Sequence, residues 1–297
     1  MRRVAAVVFL AALAFAGCGR SSPQGLTLDS LLKRPGPDVA VTAGAGDFVP
    51  GRVRFPFLVI ANDGRPVERP TARVWVATGR DEAPFATTTA RLEPIGIPGR
   101  SEAAAGGVRR IYVTRFDVPR PGQYWLVTQP AGARIQAVSV FKVHARLPVP
   151  AVGARAPASA TPTLGSAPVS ALTTERPPDR SLLRYSVAGS LAAHAPFVVT
   201  FATPRFCTSR VCGPVVDVVE AVRRRFASRR VRFIHVEVFR GNDPSKGYNR
   251  WMREWGLTSE PWTFLVGPDG RVKAEFQGSV SAAELSDAIR QTLVSRR

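Results

Sequence analysis

Two cysteines, Cys207 and Cys212, are the residues of this chain best suited to chemistry; the only other cysteine is Cys18. A thiol is a nucleophile only as its thiolate, and the run Phe201-Ala202-Thr203-Pro204-Arg205-Phe206-Cys207 puts Cys207 after a predicted strand and ahead of a predicted helix. There the N–H groups and dipole of a helix start favour negative charge. Cys212-Gly213-Pro214 follows, and proline suits a first helical turn because its missing N–H costs nothing there. Five steps along an ideal helix advance about 7.5 Å, whereas a disulfide wants Cα atoms about 4.4–6.8 Å apart. The pair therefore cannot be bridged across a continuous helix. Either Cys207 lies in a loop ahead of a helix starting near Pro214, or the first turn unwinds on oxidation. Cys207, nearer the strand, is the expected attacking thiolate and Cys212 the resolving partner. Arg205 and Arg210 are the cations near enough in sequence to hold the thiolate pKa down. Two cysteines and the widely separated His144, His194 and His235 match no zinc spacing, so no metal and no cofactor is expected.

The rest of the sequence must position that pair and deliver it to its compartment. The 297 residues carry 41 Lys+Arg against 22 Asp+Glu, a formal charge of +19, with 45% hydrophobic residues. That composition excludes a mostly disordered chain, and the length suits about two domains. The arginines are scattered; the densest group is Arg223, Arg224, Arg225, Arg229 and Arg230, and no zinc-finger or RNA-binding signature accompanies it. A nucleic-acid partner is not expected. Attraction to an anionic membrane surface fits better, because residues 1–18 have the layout of a secretory signal: Met1-Arg2-Arg3, an apolar run from Val4 to Ala16, then Gly17-Cys18. Thirteen apolar residues are too few to span a bilayer, which takes about 20.

Residues 19–38 read as a polar tether. From 39 to 146, short β-type runs rich in branched and aromatic residues alternate with Asp-Gly and Pro-Gly turns, the pattern of a β-sandwich. Residues 147–180, dense in Ala, Pro, Ser and Thr, have linker composition, while Val152-Gly153-Ala154-Arg155-Ala156-Pro157 resembles the lead-in of thiol-antioxidant folds, which implies that part of the stretch lies against the next domain. From 181 to 297 the pattern is α/β: a helix over 181–193, an apolar strand Phe197–Ala202, a helix Val215–Phe226, a strand Val231–Phe239, a helix begun by Asp243-Pro244 with Tyr248, Trp251, Met252 and Trp255 on one face, two strands joined by Gly267-Pro268-Asp269-Gly270, and a closing helix from Ser281 to Val294. The expected fold is thus multidomain, an N-terminal all-β sandwich followed by a C-terminal α/β domain.

Several stretches carry resemblances. Phe15-Ala16-Gly17-Cys18 resembles the bacterial lipobox, which implies lipid on Cys18 and an anchor on the outer face of the cytoplasmic membrane or in the periplasm. Pro119-Arg120-Pro121-Gly122-Gln123-Tyr124-Trp125 resembles bacterial immunoglobulin-like domains. Cys207 after the first buried strand, with Glu260-Pro261-Trp262-Thr263-Phe264 before the third, resembles the thioredoxin superfamily, and the segment from Trp255 to Val272 looks like its membrane-tethered, TlpA-type members. That resemblance implies a cis-Pro261 beside the redox cysteine, with Glu260, Arg205 and Trp262 in support. It implies an exported thiol–disulfide oxidoreductase whose partners are protein thiols and disulfides or a membrane electron donor. The four residues between the cysteines are similar instead to bacterioferritin-comigratory peroxiredoxins, implying a thiol peroxidase; there Glu260 stands where an activating Arg is expected. Sco-type copper handling would add a distant histidine such as His235, although Met1 and Met252 are the only methionines and offer no thioether site between residues 39 and 146. A non-catalytic binding lipoprotein is the remaining alternative.

The lipobox reading has a direct test. Metabolic labelling with a fatty-acid analogue should mark the wild-type protein and not Cys18→Ser; label that survives the substitution would refute attachment at Cys18.

Overall fold

Alternation of apolar and polar residues over residues 39–143 builds strands with one face committed to a core. The computed structural model describes residues 25–33, 36–37, 39–97, 108–131, 137–206 and 212–294; Cys18 and the signal segment, Cys207 and Arg210 lie outside them. A short helix, α1 (Leu28–Leu32), precedes β1 (Val39–Ala43), β2 (Gly51–Ala61), β3 (Thr71–Ala77), β4 (Ala86–Pro94), β5 (Arg110–Val118), β6 (Gly122–Pro130) and β7 (Ala137–Val143). The seven strands form one antiparallel sheet in the order β1-β2-β5-β4-β3-β6-β7. A two-sheet sandwich was expected. Instead β5 pairs with both β2 and β4, and β3 with both β4 and β6, and β4 carries the ladder across at Arg91, pairing with β3 over Ala86–Arg91 and with β5 over Arg91–Pro94. The sheet rolls: Phe48 bridges to Val143 on the far edge strand, and the His144 N–H donates to the Phe48 carbonyl at 2.8 Å. Phe48, Phe55, Phe57, Tyr112, Phe116, Tyr124 and Phe141 fill the inner face, with Phe55 against Phe141 at 5.1 Å and Phe57 stacked on Tyr112 at 5.2 Å.

Part of the expected tether is also structured. Thr27 and Ser30 form a capping box for α1, and Leu28 and Leu31 are buried against Trp75, Ala77 and Val127 on the sheet's outer face. Two leucines three apart in a polar stretch were the signal for this amphipathic turn.

The remaining elements are α2 (Val169–Leu172), a 3₁₀ turn Arg180–Leu183, α3 (Val187–Ala192), β8 (Phe197–Phe201), α4 (Cys212–Arg225), β9 (Arg232–Val236), α5 (Arg250–Glu254), β10 (Trp262–Val266), β11 (Val272–Gln277) and α6 (Ala282–Thr292). The second sheet runs β11-β10-β8-β9, with β8 parallel to β9 and antiparallel to β10. The α/β arrangement expected of this region is present. Val215, Val218, Val219, Val222, Leu285 and Ile289 cover one face of the sheet, while Val187, Met252, Trp255 and Phe264 belong to the core on the other. Four boundaries differ from expectation by more than two residues, the first being α4, which begins at Cys212 rather than Val215. The helix over 181–193 is broken into the 3₁₀ turn and α3, because Ser186 caps a new start by accepting from the Gly189 N–H. The strand Val231–Phe239 is shorter in β9. Asp243-Pro244 opens a 3₁₀ turn, Pro244–Lys246, and the helix proper starts after Asn249, whose side chain accepts from the Met252 N–H at 3.1 Å. Among the described residues no helix is long and apolar enough to cross a membrane.

The stretch with linker composition, 147–180, is laid along the second sheet. The Gly153 N–H donates to Val272, Val272 to Ala154, and the Ala156 N–H to Gly270, each at 2.8–2.9 Å. Ser159 accepts from the Trp255 indole at 3.2 Å. Composition misleads here because the segment is held by backbone groups rather than by large side chains.

The two sheets meet along β11 and the start of α6. Gln277 accepts from the Gly46 and Asp47 N–H groups at 3.0 and 2.9 Å. Gly278, at φ +74°, lies so close to Gly44 that a Cβ there would sit 1.9 Å from the Gly44 carbonyl oxygen. Glu284 caps α6 with Ser281 and accepts from Arg54 and Arg115, both at 2.7 Å; its side chain is 10% exposed and that of Arg54 13%. Burial pushes the Glu284 carboxyl up, but hydrogen bonds and attraction from the two guanidiniums outweigh it and hold the group below its ordinary value.

Glu284→Ala strips Arg54 of its carboxylate partner in a nearly buried site, which should cost about 3 kcal/mol in denaturant unfolding. The Glu284 contribution in the wild type is fully present above pH 4.5, the ordinary value, and is lost as pH falls through the depressed folded value. The Ala variant should lose that acid-side slope.

Candidate functional site

β8 is buried along its whole length, so its chain meets solvent only beyond its two ends, and the C-terminal one leads to the cysteines. Ala202 and Thr203 are still buried, Pro204 and Phe206 are half-buried, and Arg205 is exposed with its guanidinium 5.4 Å from the centroid of the Phe206 ring. Cys207 follows, outside the described residues, and Cys212 is the first residue of α4.

Antiparallel pairing of Trp262 with Phe201 brings residues 259–261 alongside the chain leaving β8. The Glu260–Pro261 peptide is cis, as the resemblance implied. The Glu260 carboxylate accepts from the Thr203 N–H at 3.0 Å. Trp262 is buried, stacks on Phe264 at 5.6 Å and donates its indole N–H to Ser259 at 3.3 Å. Ser259 in turn donates to Asp47 from the first sheet at 3.1 Å. Trp262 therefore shapes the loop from beneath, and Arg205 points its charge toward an aromatic ring.

A second acid completes the floor. Glu237, just beyond β9, accepts from the Thr174 N–H at 2.6 Å and the Thr174 hydroxyl at 2.5 Å. The same hydroxyl accepts from the Arg205 N–H at 3.2 Å and lies 3.5 Å from the Thr203 hydroxyl. One threonine thus ties the buried carboxylate to the chain that runs into Cys207. Glu237, Thr174 and Thr203 were not singled out from sequence. The signal for Glu237 was present, a lone acid inside the apolar run Phe233-Ile234-His235-Val236-Glu237-Val238-Phe239. No signal marked Thr174, which lies in the stretch read as linker.

Desolvation is the main reason that the Glu260 carboxyl is pushed up to about 7; the Thr203 N–H opposes this and the charge of Glu237 adds to it. Glu275 on β11 is also pushed up to about 7, by burial alone. At neutral pH the loop beside β8 thus carries an acid able both to donate and to accept a proton.

His235 is buried and both ring nitrogens are engaged, Nε2 with the Ala202 carbonyl at 3.0 Å and Nδ1 with the Thr173 hydroxyl at 3.4 Å. That geometry makes it a structural tie between β9, β8 and residue 173 rather than a metal ligand. Among the described residues the one grouping of metal-ligating side chains is Glu175, Asp217 and Glu220, with neither His nor Cys, and Glu220 is ion-paired with Arg224.

No family model and no curated protein matches this sequence. Among solved structures, the chain is similar to a thioredoxin-family thiol:disulfide interchange protein from Chlorobium tepidum TLS, with 18% identity, covering 50% of this chain and 97% of that one, at a TM-score of 0.31.

The acid beside β8 should be visible in stability. An acid whose folded pKa is raised binds more protons folded than unfolded between pH 4.5 and about 7, so stability falls as pH rises through that window. Glu260→Gln keeps an acceptor for Thr203 and removes the titration. It should stabilise the protein at pH 8 relative to wild type by about 2–3 kcal/mol and leave it nearly unchanged at pH 4. Parallel pH profiles of the two proteins would overturn the assignment.

Proposed function

We propose that this protein is an exported, lipid-anchored thiol–disulfide oxidoreductase with a thioredoxin-like C-terminal region, working through Cys207 and Cys212. The supporting observation is the contact between the Glu260–Pro261 loop and the end of β8, Thr203 N–H to Glu260, at the point where the chain runs into Cys207. A cysteine after the first strand of this sheet and a proline before its third are the two features on which the family resemblance rests, and β8 and β10 are hydrogen-bonded neighbours.

In the reducing direction the Cys207 thiolate attacks one sulfur of a substrate disulfide. A mixed disulfide forms and the other substrate sulfur leaves as thiolate, taking a proton. The Cys212 thiolate then attacks the Cys207 sulfur, the second substrate thiol is released, and the protein is left with the Cys207–Cys212 disulfide. Two electrons and two protons have passed to the substrate, and a thiol donor on the membrane side restores the pair. The oxidising direction is the reverse. Glu260, sharing a proton near neutral pH and bonded to the Thr203 N–H, is the acid assigned to exchange protons with the leaving thiols. A peroxidase reading is weaker because a carboxylate, not a guanidinium, occupies the place beside the loop. Lipid on Cys18 would hold the protein at the envelope membrane, where its partners are protein thiols or a membrane electron donor.

Trapping mixed disulfides tests the assignment of roles. Cys212→Ser should accumulate a covalent adduct through Cys207, released by reductant, and Cys207→Ser should not. The opposite result would exchange the roles; no adduct in either variant would leave a structural disulfide.

A further inference from the structure

The positive charge of this chain has one dense focus, and the fold gives it a definite place. Six arginines stand between residues 223 and 232, and no acidic residue occurs between Glu220 and Glu237. α4 ends at Arg225, and β9 starts at Arg232, whose N–H donates to the Pro196 carbonyl at 2.9 Å. The turn between them is closed by the Arg229 N–H on the Phe226 carbonyl, also at 2.9 Å. Phe226 is buried beneath this turn, while Arg224, Arg225 and residues 227–230 are exposed.

Neighbouring acids take up only two of the six. Arg223 lies 3.7 Å from Asp179, and Arg224 pairs with Glu220 one turn back; among the described residues Arg225, Arg229, Arg230 and Arg232 have no carboxylate partner. Arg225 reaches the Ser286 hydroxyl at 3.5 Å. Arg232 donates to the Gly189 carbonyl at 3.1 Å and lies 4.5 Å from the centroid of the Tyr185 ring, a residue 40% exposed. The carbonyls at a helix C-terminus favour cations only within the last turn, so they do not balance Arg229, Arg230 and Arg232 beyond it. Four like charges held within eight residues repel one another until an extended anion covers them. A bilayer with acidic headgroups is such an anion, and an exposed tyrosine among the cations suits its headgroup layer, where a ring with one polar end is at home.

We propose that this end of the second sheet, Arg225, Arg229, Arg230 and Arg232 with Tyr185, rests on the anionic headgroups of a phospholipid bilayer. The choice of a bilayer as the anion rests on the envelope location proposed above; the charge cluster does not. The contact also orients the thiol pair. β8 and β9 are parallel, Arg232 is opposite Phe197 at the first residue of β8, and the chain to Cys207 leaves from its last. Cys212 and Arg225 are the two ends of the 14-residue α4, about 20 Å apart. A bilayer under the arginines therefore leaves the cysteines at the end turned away from it, open to protein partners.

Sedimentation with vesicles tests the proposal on the full-length protein carrying Cys18→Ser, so that no acyl chain contributes and the result is independent of lipid attachment. Vesicles with about 30% phosphatidylglycerol in phosphatidylcholine should bind it at least about tenfold more tightly than phosphatidylcholine alone, and the excess should shrink between about 50 and about 300 mM salt. Arg225→Gln, Arg229→Gln and Arg230→Gln together should weaken binding to the anionic vesicles about a hundredfold, at about fivefold for each charge near the surface. The same change at Arg65, Arg91 and Arg120, exposed positions around the first sheet, removes as much charge and should leave binding within about threefold of the parent. Amide exchange at residues 227–230 should slow on the anionic vesicles, and that at Arg205 and Phe206 should not. Equal binding to both kinds of vesicle, or equal loss in the two triple variants, would overturn the proposal. A short DNA duplex that displaces the protein from the anionic vesicles at equal phosphate concentration would assign the cluster to nucleic acid and overturn it as well.

Discussion

β8 is hydrogen-bonded on both edges, to β9 and to β10, and buried along its whole length. A strand so enclosed has one free feature, the backbone that emerges beyond its last pair. The Thr203 N–H has left the ladder and must find an acceptor in a buried place. Glu260 provides it, which fixes the Glu260–Pro261 loop against the exit of the strand. The Ala202 carbonyl faces the same requirement and is met by His235. Much of the site's geometry follows from these two satisfactions, made by side chains from the neighbouring strand and loop. The perturbed acidity of Glu260 is a by-product, since a carboxylate used as a buried backbone acceptor is necessarily desolvated.

The sequence was most legible where a single physical signal dominated. The continuous apolar run at Phe197–Phe201 announced a strand covered on both faces, and Val215, Val218, Val219 and Val222 announced a helix with one buried stripe. The position of Pro261 before β10 was readable as well. Legibility failed where polar groups do the holding. Residues 147–180 carry few large apolar side chains, so their composition reads as linker, and only the resemblance at Val152-Gly153-Ala154-Arg155-Ala156-Pro157 pointed to the docking made there by hydrogen bonds. Helix starts failed for a related reason. Asp243 and Asn249 are both good caps six residues apart, and only the packing of Met252 and Trp255 selects the second for the α-helix. The count of sheets was illegible because strand spacing fixes turns but not whether a ladder is broken between neighbours.

The docking of the Ala/Pro-rich stretch has a consequence for how the polypeptide can be divided. A fragment beginning at residue 181 would keep every strand of the second sheet, yet lose what is supplied from earlier in the chain. Glu237 would lose both donors from Thr174, the indole of Trp255 would lose Ser159, and the turn before β11 would lose its pairing with residues 153–156. Each loss uncovers a polar group that solvent reaches poorly. Any border drawn ahead of β8 that respects these bonds therefore lies at least some thirty residues earlier, close to Pro148, whose carbonyl lies 2.3 Å from where a Cβ on Gly256 would stand, and even there Glu284 would lose Arg54 and Arg115. Cooperative folding and compositional complexity draw different borders on the same chain, and here the hydrogen bonds decide which of them a protease would respect.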